Sequence, residues 1–179
     1  MRLFAAVVLP RAAVRDLAGA VQSYRSGSSG RVRWTRTESW HLTLAFYGSC
    51  TPEQARRRAE WLVPRLRACA PPRLWLAGVG TFRGVLWAGV GGELDKLRVL
   101  ARAAGAEEAG PKGGRKWHPH VTLARWRTGG APRPVREAAQ AMAGYRGPPW
   151  LAADVVLFSS ELHPSGSRYT EQARFQLTG

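Results

Sequence analysis

Cysteine, lysine and long apolar runs are all scarce in this chain of 179 residues, and each scarcity excludes something. Cys50 and Cys69 are the only two cysteines, and they form no CxxC pair. A disulfide-stapled secreted scaffold is thereby excluded, and a reducing, cytoplasmic setting is the expectation. Four histidines and two separated cysteines give no zinc-ligand spacing, so no metal and no cofactor are expected. The longest apolar stretch, Leu3 to Pro10, falls far short of the ~20 residues a spanning helix needs, which excludes a helical membrane protein. Acidic residues are also few, at 12 against 27 basic ones, for a net charge of +15. Only Lys96, Lys112 and Lys116 are lysines, so arginine supplies nearly all of that positive field. Such a field attracts polyanions, nucleic acid above all. A similar arginine skew also arises from codon bias, so the charge alone does not define a binding face.

What remains is ordinary globular material, with 45% hydrophobic and 22% charged residues, sufficient for one self-supporting domain over residues 1–179. The opening Met1–Pro10 superficially resembles a signal peptide, with Ala18-Gly19-Ala20 as its cleavage site. Arg11, Arg15 and Asp16 break that reading and favour a buried first strand ended by Pro10. Val14, Leu17 and Val21 then recur at helical spacing over 11–25, before the Ser26–Gly30 turn. Strands are expected at 31–34 and 41–47. A helix capped by Thr51 should start at Pro52 and bury Ala55, Ala59, Leu62, Val63 and Leu66, with Pro64 kinking or shortening it. Strands at 74–79 and 85–90 and a helix at 93–104 follow, then a Gly/Lys-rich loop at 110–116. A strand at 120–126, a helix at 134–142 and strands at 153–159 and 169–177 complete the chain. Short turns between successive strands favour an α+β fold with antiparallel sheets over a doubly wound parallel one.

One repeat carries chemical information. His41-Leu42-Thr43-Leu44-Ala45 and His120-Val121-Thr122-Leu123-Ala124 are near copies, and they hold half of the chain's four histidines. In a strand, the His and Thr side chains share one face about 7 Å apart, and Leu42, Leu44, Val121 and Leu123 take the other. Neither His nor Thr is a good core residue, so packing alone does not account for two copies. Two such strands side by side gather two imidazoles and two hydroxyls around one small volume. One imidazole serves as general base and the other, protonated, as general acid, because the group titrates near neutrality. Hydroxyls in a positive field suit phosphoryl oxygens. This is the equipment for in-line displacement at a phosphodiester.

The chain here resembles the 2H phosphoesterases, and within them the RNA 2′,3′-cyclic phosphodiesterases, also called 2′-5′ RNA ligases. The motifs that carry the resemblance are His41–Gly48 and Pro119–Arg125. The opening Arg2–Val7, Val85–Val90 and the closing Ser159, Glu161-Leu162, Gly166, Arg168–Thr170 and Ala173–Phe175 resemble the same subfamily. The resemblance implies a bilobal fold of two pseudo-symmetric halves, with antiparallel sheets lining a central cleft, helices outside and no metal. It further implies His41 as the proton donor to a leaving 3′ oxygen and His120 as the base that activates water. Thr43 and Thr122 then hold phosphate, and Arg125 contacts it. Period two puts Arg125 with Val121 and Leu123 on the apolar side; only a twist or bulge at the strand end brings it into the cleft.

The implied substrate and partner is an RNA with a 2′,3′-cyclic phosphate end, its product a 2′-phosphomonoester, with 2′-5′ ligation as the reverse use of the site. Small cyclic nucleotides as substrates, or a phosphate-gripping RNA-binding module without turnover, are the competing readings. Trp40, Trp117 and Tyr169 are candidate base-stacking residues. His118 and His163 lack a matching Thr and are read as supporting or loop residues. No membrane and no obligate protein partner are implied, and a monomer is expected.

Overall fold

The computed structural model describes residues 1–26, 30–106, 117–127, 129–163 and 166–179. Five successive buried residues, Leu3 to Val7, make β1 (Arg2–Val8) a strand covered on both faces. Pro10 ends it, and α1 (Arg11–Ser26) follows, burying Ala13, Leu17 and Val21. The remaining elements are β2 (Arg33–Trp34), β3 (His41–Ser49), α2 (Pro52–Arg67), β4 (Arg73–Phe82), β5 (Val85–Gly92), α3 (Leu94–Ala103), β6 (His120–Arg125), α4 (Arg133–Ala141), β7 (Trp150–Leu151), β8 (Asp154–His163) and β9 (Gly166–Gln176).

The strands form two sheets, ordered β3-β1-β8-β9 and β2-β6-β5-β4-β7, and every pairing is antiparallel. The fold is α+β. The first sheet packs on α2 and α3 through Leu3, Leu42, Leu62, Leu66, Leu97 and Leu100. The second packs on α1 and α4 through Leu17, Val21, Leu86, Val121, Leu123 and Val135. The chain therefore crosses repeatedly between sheets: β1 belongs to one, while α1, which it feeds, covers the other. Among the described residues no helix is long and apolar enough to cross a membrane.

Several elements differ from their expected limits. Pro64 does not break α2, which continues to Arg67. Pro64 and Glu60 are both exposed, so the carbonyl that the proline leaves without a donor faces water. Val63 is correspondingly 43% exposed rather than buried with Leu62 and Leu66. The expected strand at 31–34 contracts to Arg33–Trp34, and β7 has no signature in the sequence because two residues carry no periodicity. The last two strands are longer than expected and form one hairpin, pairing Asp154 with Gln176 at one end and His163 with Gly166 at the other. The expected loop at 110–116 and residues 27–29 of the Ser26–Gly30 turn lie outside the described residues.

Candidate active site

The two motif strands touch although they belong to different sheets. Each starts with its histidine and repeats one burial pattern: His and Thr half-buried, the intervening apolar residues buried. The pattern then breaks in both at the same place. In β3, Thr43 lies opposite Ala6 and Ala45 opposite Ala5, leaving Leu44 as an extra residue. In β6, Thr122 lies opposite Trp87 and Ala124 opposite Leu86, leaving Leu123 extra. A bulge of one residue reverses the parity of everything after it. Arg125 therefore pairs with Val85, two residues from Trp87, and shares the face of His120 and Thr122. The expectation from period two, that Arg125 joins the apolar side, is corrected by this bulge. Phe46 occupies the equivalent place after the bulge in β3, opposite Phe4 and 61% exposed.

Both histidines are held in one way. Nδ1 of His41 is 2.8 Å from the carbonyl of Ser39, and Nδ1 of His120 is 2.7 Å from the carbonyl of His118. A carbonyl only accepts, so each Nδ1 carries the proton and each Nε2 is the nitrogen that gains or loses one. Burial lowers the pKa of His41 to about 4, against the Ser39 carbonyl, which raises it; the charge of His120 lowers it further. The pKa of His120 is also lowered, first by burial and then by His118 and Arg125, against the His118 carbonyl. Each ring thus feels a neighbouring positive charge, and an anion between them reverses that penalty.

Aromatic rings surround the pair. His41 has Phe4 at 4.9 Å and Tyr169 edge-on at 5.2 Å, with Phe158 at 6.4 Å. His120 has Phe82 edge-on at 5.2 Å, and His118 lies 4.9 Å from Trp87 and 5.2 Å from Phe82. Trp87 needs bare backbone beneath it, because a Cβ on Gly80 would lie 2.5 Å from its ring. Of the candidate stacking residues, Tyr169 stands beside His41. Trp117 is half-buried and donates its Nε1 proton to the Thr43 carbonyl at 3.3 Å, fastening the approach to β6 onto β3. Trp40 is corrected: it is 3% exposed in the core of the second sheet, with no face open to a base. The side chain of His163 lies outside the described residues. Phe46, Phe82 and Trp87 are additions that sequence reasoning misses. Extending the motif alignment by one residue, to Phe46 against Arg125, is the signal that points to the first. Among the described residues no three His, Cys, Asp or Glu side chains converge as a metal site.

Residues 13–161 match the model of the 2′-5′ RNA ligase superfamily. The chain belongs to that superfamily. A relative from Methanothermobacter thermautotrophicus, named RNA 2′,3′-cyclic phosphodiesterase, is 26% identical over 99% of both chains. One from Geobacillus stearothermophilus with the same name is 30% identical over 82% of this chain, which spans only 48% of that relative. Among solved structures, TT0787 of Thermus thermophilus superposes with a TM-score of 0.79 at 30% identity, covering 100% of this chain and 99% of that one. LigT of E. coli, complexed with NADP+, superposes at 0.72 with 24% identity and 99% and 98% coverage, a likeness of fold.

Proposed function

We propose that the protein hydrolyses the 2′,3′-cyclic phosphate end of an RNA to a 2′-phosphomonoester, using His41 and His120 as its acid and base. The carrying observation is the matched pair of imidazoles, each anchored through Nδ1 to the carbonyl two residues before it. The names of the two curated relatives support the substrate class. Water gives a proton to Nε2 of His120 as its oxygen attacks phosphorus. The bond from phosphorus to the 3′ oxygen breaks, and that oxygen takes the Nε2 proton of His41. The phosphoryl oxygens sit against Thr43, Thr122 and Arg125. His41 as the donor to the leaving group and His120 as the base follow the resemblance of their two motifs to those of the family. The same site run backwards, with an RNA 5′-hydroxyl in place of water, makes a 2′-5′ linkage.

The test is turnover of a cyclic-phosphate-ended oligonucleotide in EDTA, with product identified by phosphate position. A 2′-phosphate is expected, and His41→Ala and His120→Ala should each lose about 10²–10⁴ in rate. Near-normal turnover by either variant overturns the assignment. RNA retained without conversion turns the paired motifs into a phosphate clamp.

A further inference from the structure

At the far end of β6 from His120 lies an open basin of about 1310 Å³. Seven arginines line it and, among the described residues, no aspartate or glutamate does. Arg33 of β2 sits directly opposite Arg125 of β6, and both are exposed. Like charges facing each other across a ladder destabilise it, so this pairing costs energy until an anion lies between them. Arg83, in the β4–β5 turn beside Gly84, adds a third positive charge at the same end of the sheet. Two of the others are committed elsewhere: Arg133 donates to Glu137 at 2.7 Å and Arg136 to the Ala131 carbonyl at 2.6 Å. Among the described residues, Arg31, Arg33, Arg83 and Arg125 have no carboxylate within ion-pair distance.

The basin meets the catalytic face at the end of β6, through Arg125 and its partner Val85. The bulge at Leu123 turns Arg125 onto the face of His120 and Thr122, and Arg125 also lines the basin. From His120 to Arg125 is about 16 Å at ~3.3 Å per residue. That distance holds about five phosphates at the ~3.4 Å stacked spacing of a strand, and fewer in an extended one. We infer that the basin is a second site, independent of sequence, for the ribose-phosphate backbone of a single-stranded RNA whose cyclic end lies at the histidines. This rests on the proposed reaction and adds a substrate preference: oligonucleotides over mononucleotides. Guanidinium groups suit phosphate through paired donors and without titrating.

The experiment compares a mononucleotide 2′,3′-cyclic phosphate with a hexanucleotide carrying the same end, for the wild type and for Arg33→Gln/Arg83→Gln. Binding of a 3′-hydroxyl hexanucleotide, a ligand without a reactive end, is followed against salt by fluorescence anisotropy. The wild type should favour the hexanucleotide at least tenfold in kcat/KM at low salt. The double variant should lose most of that preference and change less than twofold on the mononucleotide. Its log–log salt slope should fall by about 1.4, because each phosphate neutralised on a single strand contributes ~0.7. Equal kcat/KM on both substrates, or equal losses on both in the variant, overturns the inference. Polyglutamate displacing the hexanucleotide as well as unlabelled RNA overturns the RNA assignment. Salt-dependent binding that the variant weakens, without turnover of either substrate, upholds the basin and overturns the reaction instead.

Discussion

An imidazolium ion withdrawn from water loses hydration that the neutral ring never had, and His41, enclosed by Phe4, Phe158 and Tyr169, shows that cost as a pKa of about 4. His120 is displaced in the same direction. The bell-shaped kcat/KM profile reports the free enzyme, so its optimum should lie below about pH 6.5, the ordinary histidine value. Its two limbs belong to the pair and not to one residue each. An optimum at about pH 8 or above, in a profile of kcat/KM against pH, would contradict this. A bound phosphate supplies the charge that restores the proton on His41. Titration of the ring signals by NMR should therefore show its pKa rising when a 2′-phosphate product binds. The same displacement has a stability consequence of definite sign. His41 is held neutral in the fold but binds a proton near pH 6.5 when unfolded, so stability is full above that pH and falls as pH drops towards 4. His41→Asn should flatten the fall in urea midpoints measured between those limits.

Arg125 illustrates a second residue-scale point, because its role depends on one extra residue in the ladder. A hydrogen bond to a charged group is worth about 1.5–3 kcal/mol. Arg125→Ala should therefore lower kcat/KM by about tenfold or more on mononucleotide and oligonucleotide alike, as steady-state assays on both would reveal. An unchanged kcat/KM would remove Arg125 from the phosphate site.

At the scale of elements, α2 joins a strong start to an unusual interior. Thr51 accepts from the Gln54 amide at 3.2 Å while the Gln54 side chain accepts from the Thr51 amide at 2.9 Å. Thr51→Ala should cost about 1 kcal/mol, read from the denaturant midpoint, with kcat unaltered. Pro64→Ala should act oppositely. It restores a backbone donor at an exposed site, and a helix-interior proline costs ~3 kcal/mol, partly offset by the ~1 kcal/mol its rigidity contributes through the unfolded chain. A net gain of about 2 kcal/mol is expected in the same denaturation experiment. The bulges in β3 and β6 are elements of the site too: without them, Phe46 and Arg125 would point into the two cores.

At the scale of the molecule, the crossings between sheets matter most. Because α1 covers the second sheet while β1 lies in the first, and α3 covers the first sheet while joining two strands of the second, the chain ties the two halves together. Thermal unfolding should be a single cooperative transition with calorimetric and van't Hoff enthalpies in agreement. Two resolved transitions in scanning calorimetry would show the sheets to be independent. Within the second half, Tyr145, beyond the end of α4, ties that helix to α1 by donating its hydroxyl to Asp16 at 2.5 Å.

Local chemistry is legible in the sequence. Pro10, the Thr51–Pro52 start and the period of α1 report element limits because caps and breakers act through their immediate neighbours. His41, Thr43, His120 and Thr122 can be assigned to one face because side-chain alternation is a property of the strand itself. What alternation cannot report is where it stops. A bulge is defined only against a partner strand, so the face taken by Arg125 and Phe46 depends on β5 and β1 being placed beside them. Trp40 and the basin around Arg33 and Arg83 follow the same rule. Whether an indole is buried, or separate arginines converge, is decided by elements distant in the chain. Which groups are present, and how they alternate, is written in the order of residues; which of them meet is a property of the folded molecule, because register and burial belong to pairs of elements and not to one.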